Sequence, residues 1–167
     1  FQSTPQPFSA VHRHLNVIGD PRLKPIEGSW RICHTTKSNG MARIDSAKDL
    51  IVYKKSYALA MGIFQLTKSF PREERYALVS QLRRSSRSPC RSLREAWAKR
   101  RYEAHFVSKL TDADAENGET DTSLDFARDC GYITKTEHAE LTAQCTEIGR
   151  ILGAMIRTPQ KFLISDS

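Results

Sequence analysis

The chain has 167 residues, a formal charge of +7 and 39% hydrophobic residues, enough for one domain with some length left for a tail. No apolar run approaches the ~18 residues that a membrane span needs. No basic segment followed by an apolar core marks a secretory signal, so a soluble, cytoplasmic protein with no membrane partner is expected. Cys33, Cys90, Cys130 and Cys145 stand far apart with no CxxC pair, which argues against a disulfide framework or zinc knuckle; the three at helical positions, Cys90, Cys130 and Cys145, are expected to be small buried hydrophobes.

The charge is sorted along the chain. Residues 72–101 hold ten Arg or Lys against Glu73, Glu74 and Glu95, whereas residues 112–129 hold seven Asp or Glu against Arg128. Such sorting bears on partners and assembly rather than on fold.

Residues 1–40 carry Pro5, Pro7, Pro21 and Pro25 and show neither a helical nor a strand period. They are expected to be a disordered or non-native extension, with the folded domain spanning 41–163. His12, His14, Cys33 and His34 in this stretch match no metal-ligand spacing.

The first helix is predicted from about 46 to 69, capped by Asp45 or Ser46 and stopped by Pro71. Leu50, Tyr53, Tyr57, Met61, Phe64 and Lys68 recur at three- and four-residue steps, with Ile51, Ala58 and Leu66 widening the stripe. The second helix is predicted to open at Pro71, with Glu73 and Glu74 at its positive end. Its seam is Tyr76, Val79, Leu82, Ser86, Cys90, Leu93 and Trp97. Pro89 removes the bond to the Ser85 carbonyl and predicts a kink, with Ser85, Ser86 and Ser88 near enough to satisfy the freed groups.

The third helix is predicted from about 102 to 130, burying Phe106, Leu110, Ala113, Asn117, Thr120, Leu124 and Ala127, with Gly131 as its stop. The fourth follows a Thr134–Glu137 capping box and carries Leu141, Cys145, Ile148, Leu152 and Met155 to Pro159. Short connections between long helices force antiparallel neighbours. The fold class is therefore all-α, an up-down-up-down four-helix bundle with its second helix kinked near Pro89.

Several blocks carry a resemblance. Asp49–Tyr53 opens the first helix, and Phe70–Tyr76 with Ser80–Ser85 enters the second. Arg101–Tyr102, Phe106–Leu110, Glu116 to Thr120, Leu124–Ala127 and Cys130–Tyr132 follow. Together they resemble the 23S rRNA intervening-sequence, or four-helix-bundle, protein family over residues 41 to about 163. Two departures stand out. Arg91, Ser92, Leu93, Arg94 and Glu95 occupy positions where the family has a small residue, Asn, an aliphatic, Ala and Glu. Its proline falls one residue later than Pro89. The resemblance implies a ring-like homopentamer. The family's relatives include proteins encoded within 23S rRNA genes and the accessory variability determinant of diversity-generating retroelements. The latter is a basic pentamer that binds nucleic acid and a reverse transcriptase, so RNA or DNA and such a partner protein are implied here.

From the residues themselves, Arg83, Arg87, Arg91 and Arg94 line one strip of the second helix, flanked by Arg84. Guanidinium groups at helical pitch can contact successive phosphates. They can equally pair with the acidic third helix of the same or a neighbouring subunit, fixing register, and the two are compatible. Lys99, Arg100 and Arg101 crowd the turn between helices two and three, beside Trp97, Tyr102 and His105, which could stack on bases or, for Trp97, close the core. Asp112, Glu116 and Glu119 share a helix, but the Glu-x-x-His pairs of di-metal bundles are missing, as are GxSxG, P-loop and GxGxxG motifs. The expectation is a non-catalytic adaptor without a cofactor or metal. It binds nucleic acid through the basic second helix and the turn that follows it, with Arg94, Lys99, Arg100 and Arg101 the favoured contacts, or else acts as a protein–protein scaffold.

Overall fold

The computed structural model describes residues 44–164. The expectations for residues 1–40, including the His12/His14/Cys33/His34 group, lie outside them. Among the described residues there are four α-helices and three short 3-10 turns, with no strand. The helices are α1 (Ile51–Leu66), α2 (Leu78–Ala98), α3 (Glu103–Asp129) and α4 (Lys135–Arg157).

Polar contacts between the helices define the topology. Arg83 reaches Thr67 and Arg94 reaches Ser46, so the chain direction reverses between α1 and α2. Thr120–Ser85 and Lys109–Glu95 reverse it again between α2 and α3. Asn117–Cys145 and Asp125–His138 do the same between α3 and α4. Lys55 pairs with Glu147 at 3.0 Å and closes the ring from α1 to α4. Each helix thus lies beside its sequence neighbours, as expected of an up-down-up-down bundle.

The core is what the third and fourth helices predict. Phe106, Leu110, Ala113, Asn117, Thr120, Leu124 and Ala127 of α3 are all buried, as are Cys145, Ile148, Leu152 and Met155 of α4. Leu82 and Leu93 of α2 face them at 0–1% exposure, each contributing on the order of 1.5–3 kcal/mol by leaving water. The small polar centre of α3 lets α2 approach closely, and these two helices share the most extensive packing in the bundle. Within it Thr120 Oγ1 donates to Ser85 Oγ at 2.9 Å, and Asn117 Nδ2 donates to the Cys145 carbonyl at 2.9 Å.

Ends and turns follow local chemistry. Gly131 has φ +74°, the Tyr132 N–H donates to the Ala127 carbonyl and the Gly131 N–H to that of Arg128, which together form a Schellman stop. Thr134 and Glu137 form the capping box; its backbone bond holds the Glu137 carboxyl below its ordinary pKa. Ser46 and Asp49 cap a 3-10 turn, Ala47–Asp49, that precedes α1.

Three expectations need correction. First, α1 is rotated from the expected stripe: its buried residues are Val52, Ser56, Leu59, Ala60 and Ile63, while Tyr57, Met61 and Ile51 are exposed. Two polar residues, Ser56 and Thr67, belong to the core face, and a purely apolar search passes over it. Second, α1 ends at Leu66, where the Thr67 hydroxyl turns back to the Ile63 carbonyl at 2.8 Å. Third, α2 does not open at Pro71. Residues Arg72–Tyr76 form a 3-10 turn, a break at Ala77 follows, and α2 begins at Leu78. The N-cap of α2 is Ala77, and the Glu74 carboxylate, from the 3-10 turn, accepts from the Leu78 N–H at 3.1 Å and from the Tyr132 hydroxyl at 3.0 Å. Pro89 is buried inside α2, which continues through it to Ala98, and Ser85 Oγ turns to the Leu82 carbonyl, one turn back.

Candidate nucleic-acid interface

The spacing of four, four and three residues puts the arginines on one strip of α2, and the contacts of Arg83, Arg87 and Arg94 with Phe64, Thr67 and Ser46 place that strip along the border with α1. Arg83 is the most embedded member. Its Nε donates to Thr67 Oγ1 at 2.8 Å, and its guanidinium sits 4.9 Å from the centre of the Phe64 ring. Arg87, one turn on, stands 5.7 Å from the same ring, and Lys68 Nζ 4.9 Å from it. Phe64 therefore anchors three cations through its negative face. Beside it Tyr53 and Tyr57 stack with centroids 6.5 Å apart. The displaced stripe of α1 is thus the aromatic border of the basic strip.

A shallow groove of about 540 Å³ is lined by Arg75, Tyr76, Val79, Ser80, Arg83, Arg84, Arg87 and Arg91. A second of about 450 Å³ shares Arg75, Tyr76, Val79 and Arg83 with it and extends to Lys68, Phe70 and Arg72. The two form one open basic trough where the 3-10 turn meets α2.

The sequence places Tyr76 in the apolar seam, but it is 87% exposed and stands in this trough. The reason is geometric. Residues 72–76 turn at three residues per turn rather than 3.6, and the break at Ala77 resets the phase before Val79 and Leu82 turn inward. Arg75 and Phe64 are likewise absent from the residues that sequence reasoning assigns to the site. A proline-led segment ending before the periodic run is the signal that separates Arg75 and Tyr76 from the helix.

The remaining expected residues divide. Arg84 is exposed, 4.0 Å from Glu119. Arg91 lines the trough, and Arg94 donates from Nη1 to Ser46 Oγ at 3.3 Å. Lys99 and Arg101 are exposed at the far end of α2, roughly 12 Å beyond Arg91 at helical rise. Arg100 is half-buried: its guanidinium lies 4.1 Å from the Trp97 ring centre, and Nη1 donates to the Trp97 carbonyl at 2.6 Å. Trp97 packs against the core, so Arg100 is occupied in closing the end of the bundle. Tyr102 and His105 meet edge to face at 5.9 Å, both exposed. The structure brings Arg83, Arg84, Arg87 and Arg91 together in the trough and leaves Lys99, Arg100 and Arg101 apart from it.

A family model described as 23S rRNA-intervening sequence protein matches residues 48–154, the span of all four helices but for the last turn of α4. The chain belongs to the 23S rRNA-intervening sequence protein family. Among solved structures it is similar to a protein of unknown function from the S23 ribosomal protein family of Bacteroides thetaiotaomicron VPI-5482. The two are 31% identical with a TM-score of 0.60, over 66% of this chain and 99% of the other. Among curated proteins none matches.

The electrostatics of this family member bear on the two roles foreseen for the strip. Among the described residues, Arg84–Glu119 at the 4.0 Å limit is the one ion pair these arginines make with α3, and both partners are well exposed, a geometry that contributes little. The acids of α3 turn elsewhere: Asp112 to Lys109, Asp125 and Asp129 to Arg128. The firmer α2–α3 pair, Glu95–Lys109 at 3.2 Å, has the opposite polarity. Arg87 and Arg91 have no ion pair among the described residues, so the strip is not neutralised by them.

The two shielded thiols, Cys90 and Cys145, are poor nucleophiles at neutral pH, whereas Cys130 is exposed. Burial pushes Cys90 up to about 11 and Cys145 up to about 12, and a protonated thiol attacks poorly. Among the described residues no three His, Cys, Asp or Glu side chains gather as a metal site would need. No described helix is long and apolar enough to cross a membrane.

Proposed function

We propose that this protein is a non-catalytic, cytoplasmic adaptor that binds RNA or DNA along the basic trough between the 3-10 turn and α2, and that it works as a homopentamer. The observation that carries the reading is the row Arg83, Arg87 and Arg91, which lacks carboxylate partners among the described residues and lines an open groove. Guanidinium groups held one turn apart offer successive phosphates a fixed register, and releasing counterions drives the contact. Arg83 is pre-ordered by Phe64 and Thr67, so less side-chain freedom is lost on binding. The pentamer, and a partner protein such as a reverse transcriptase, are drawn from the resemblance to the wider family.

A second reading is a scaffold in which the basic face of α2 meets the acidic face of α3 on another copy. It is favoured by the same observation, since the two faces are complementary and, among the described residues, meet only through the long Arg84–Glu119 pair.

One variant separates them. Arg84→Glu with Arg87→Glu and Arg91→Glu reverses charge at the trough, and filter binding to RNA and to DNA is measured beside light scattering. The adaptor reading expects binding to vanish with particle mass unchanged. A collapse of the particle mass favours the scaffold, and undiminished binding contradicts the adaptor.

A further inference from the structure

The trough pairs cations with an aromatic ring that has no packing role. Tyr76 is 87% exposed, and among the described residues its ring meets no other ring, although Phe70 a few residues earlier packs on Tyr132 at 5.4 Å. A large aromatic side chain left in water beside arginines is an uncommon surface, because aromatic rings contribute most when buried. Its neighbours in the groove are Arg75, Arg83, Arg84, Arg87 and Arg91.

We propose that the trough takes a single-stranded polynucleotide in preference to a duplex, with one base stacked on Tyr76 and the adjoining phosphates on Arg83, Arg87 and Arg91. The proposal rests on the nucleic-acid reading above and narrows it. In a duplex the base faces are already stacked on one another and present only their edges in the grooves, so Tyr76 would have nothing to cover. In a single strand every base offers a free face, and interleaved aromatic and basic side chains are the usual means of holding it. The arginine row points the same way. Successive members rise about 6 Å along the helix, a step suited to neighbouring phosphates of one extended strand. The groove is also open and shallow, which suits a flexible strand laid along it.

The test uses the full chain and two labelled probes, a deoxythymidine oligomer and the same oligomer annealed to its complement, followed by fluorescence anisotropy at one fixed salt concentration. The expected result is tighter binding of the single strand by about tenfold or more, a loss of about tenfold for the single strand in Tyr76→Ala, and retention in Tyr76→Phe, in keeping with base–aromatic stacking. Because Tyr76 lies outside the core, the alanine variant should keep the parent's helical circular dichroism. Equal or tighter binding of the duplex, or a Tyr76→Ala variant that binds the single strand as the parent does, overturns this proposal and leaves the nucleic-acid reading standing. Failure of both probes to bind, together with failure of a uridine oligoribonucleotide, overturns the reading beneath it, and this proposal with it.

Discussion

Arg83 lies close enough over Phe64 to bring its guanidinium carbon within 4.9 Å of the ring centre while its Nε is held by Thr67 Oγ1 at 2.8 Å. The planar fork is used twice, once against the ring and once as a directed donor, and lysine cannot reproduce the two together. Arg83→Lys is therefore expected to keep the salt dependence of polynucleotide binding, since the charge count is unchanged, but to weaken binding severalfold. Anisotropy titrations of both proteins over a range of salt check this; an Arg83→Lys protein as tight as the parent would show the fork to be dispensable.

Arg100 makes the contrasting case. Stacked on Trp97 and bonded to its carbonyl, it belongs to the end of the bundle. Arg100→Ala should lower stability by about 1 kcal/mol, because it removes the cation–π pairing and the packing of the arginine stem. The steepness of binding against salt should not change. Urea unfolding midpoints paired with binding titrations distinguish this from a phosphate contact, which would alter the salt dependence and spare the midpoint.

The hydroxyl pair Thr120–Ser85 lies wholly inside the bundle. Thr120→Val keeps the shape but leaves Ser85 Oγ buried without its donor, at a cost of about 1–3 kcal/mol. Adding Ser85→Ala should recover part of that stability, and a double-mutant cycle by urea unfolding measures the coupling. Strict additivity of the two changes would mean that the bond contributes nothing.

Asp121 gives a pH signature. Its carboxyl has a buried oxygen with no hydrogen-bond partner among the described residues. Burial raises its pKa, and the neighbouring Asp125 raises it further, against a smaller lowering by His138. A carboxyl that holds its proton more tightly when folded stabilises the fold fully below its unfolded pKa and loses that contribution as pH rises through the folded value. Asp121→Asn should therefore raise the thermal midpoint at neutral pH, and the gain should vanish as pH falls below the ordinary aspartate value of 3.8. Melting curves across the acid range test it, and a gain that persists in acid would assign the effect to something other than the charge.

How much of the fold is legible in the sequence depends on which residues carry the period. On α3 and α4 the apolar or small residues repeat without interruption, and Phe106 through Ala127 and Cys145 through Met155 fall in phase. Caps with a local chemical signature, Thr134–Glu137 and Gly131, are equally plain, whereas Ser46, expected to cap the first helix, caps the 3-10 turn before it and α1 starts only at Ile51. On α1 the deepest face holds Ser56 and Thr67, and the bulkier aromatics one strip over outweigh it in any apolar pattern. Periodicity therefore assigns those aromatics to the core, although they border the basic strip. Tyr76 is misplaced because the sequence does not mark where a 3-10 turn hands over to an α-helix. The arginines of α2 are legible as a row. Which of them are free and which are engaged is not, because that depends on Phe64, Thr67, Glu119 and Trp97 arriving from elsewhere in space.

The most direct test of the unpaired arginine row is the slope of log affinity against log salt for the parent and for Arg87→Ala with Arg91→Ala. Each phosphate that the protein ceases to neutralise should reduce the slope by about 0.7–0.9, so the double variant should be shallower by roughly 1.4–1.8 units at unchanged helical content. An identical slope, with the protein still folded and still bound, would mean that these side chains touch no phosphate.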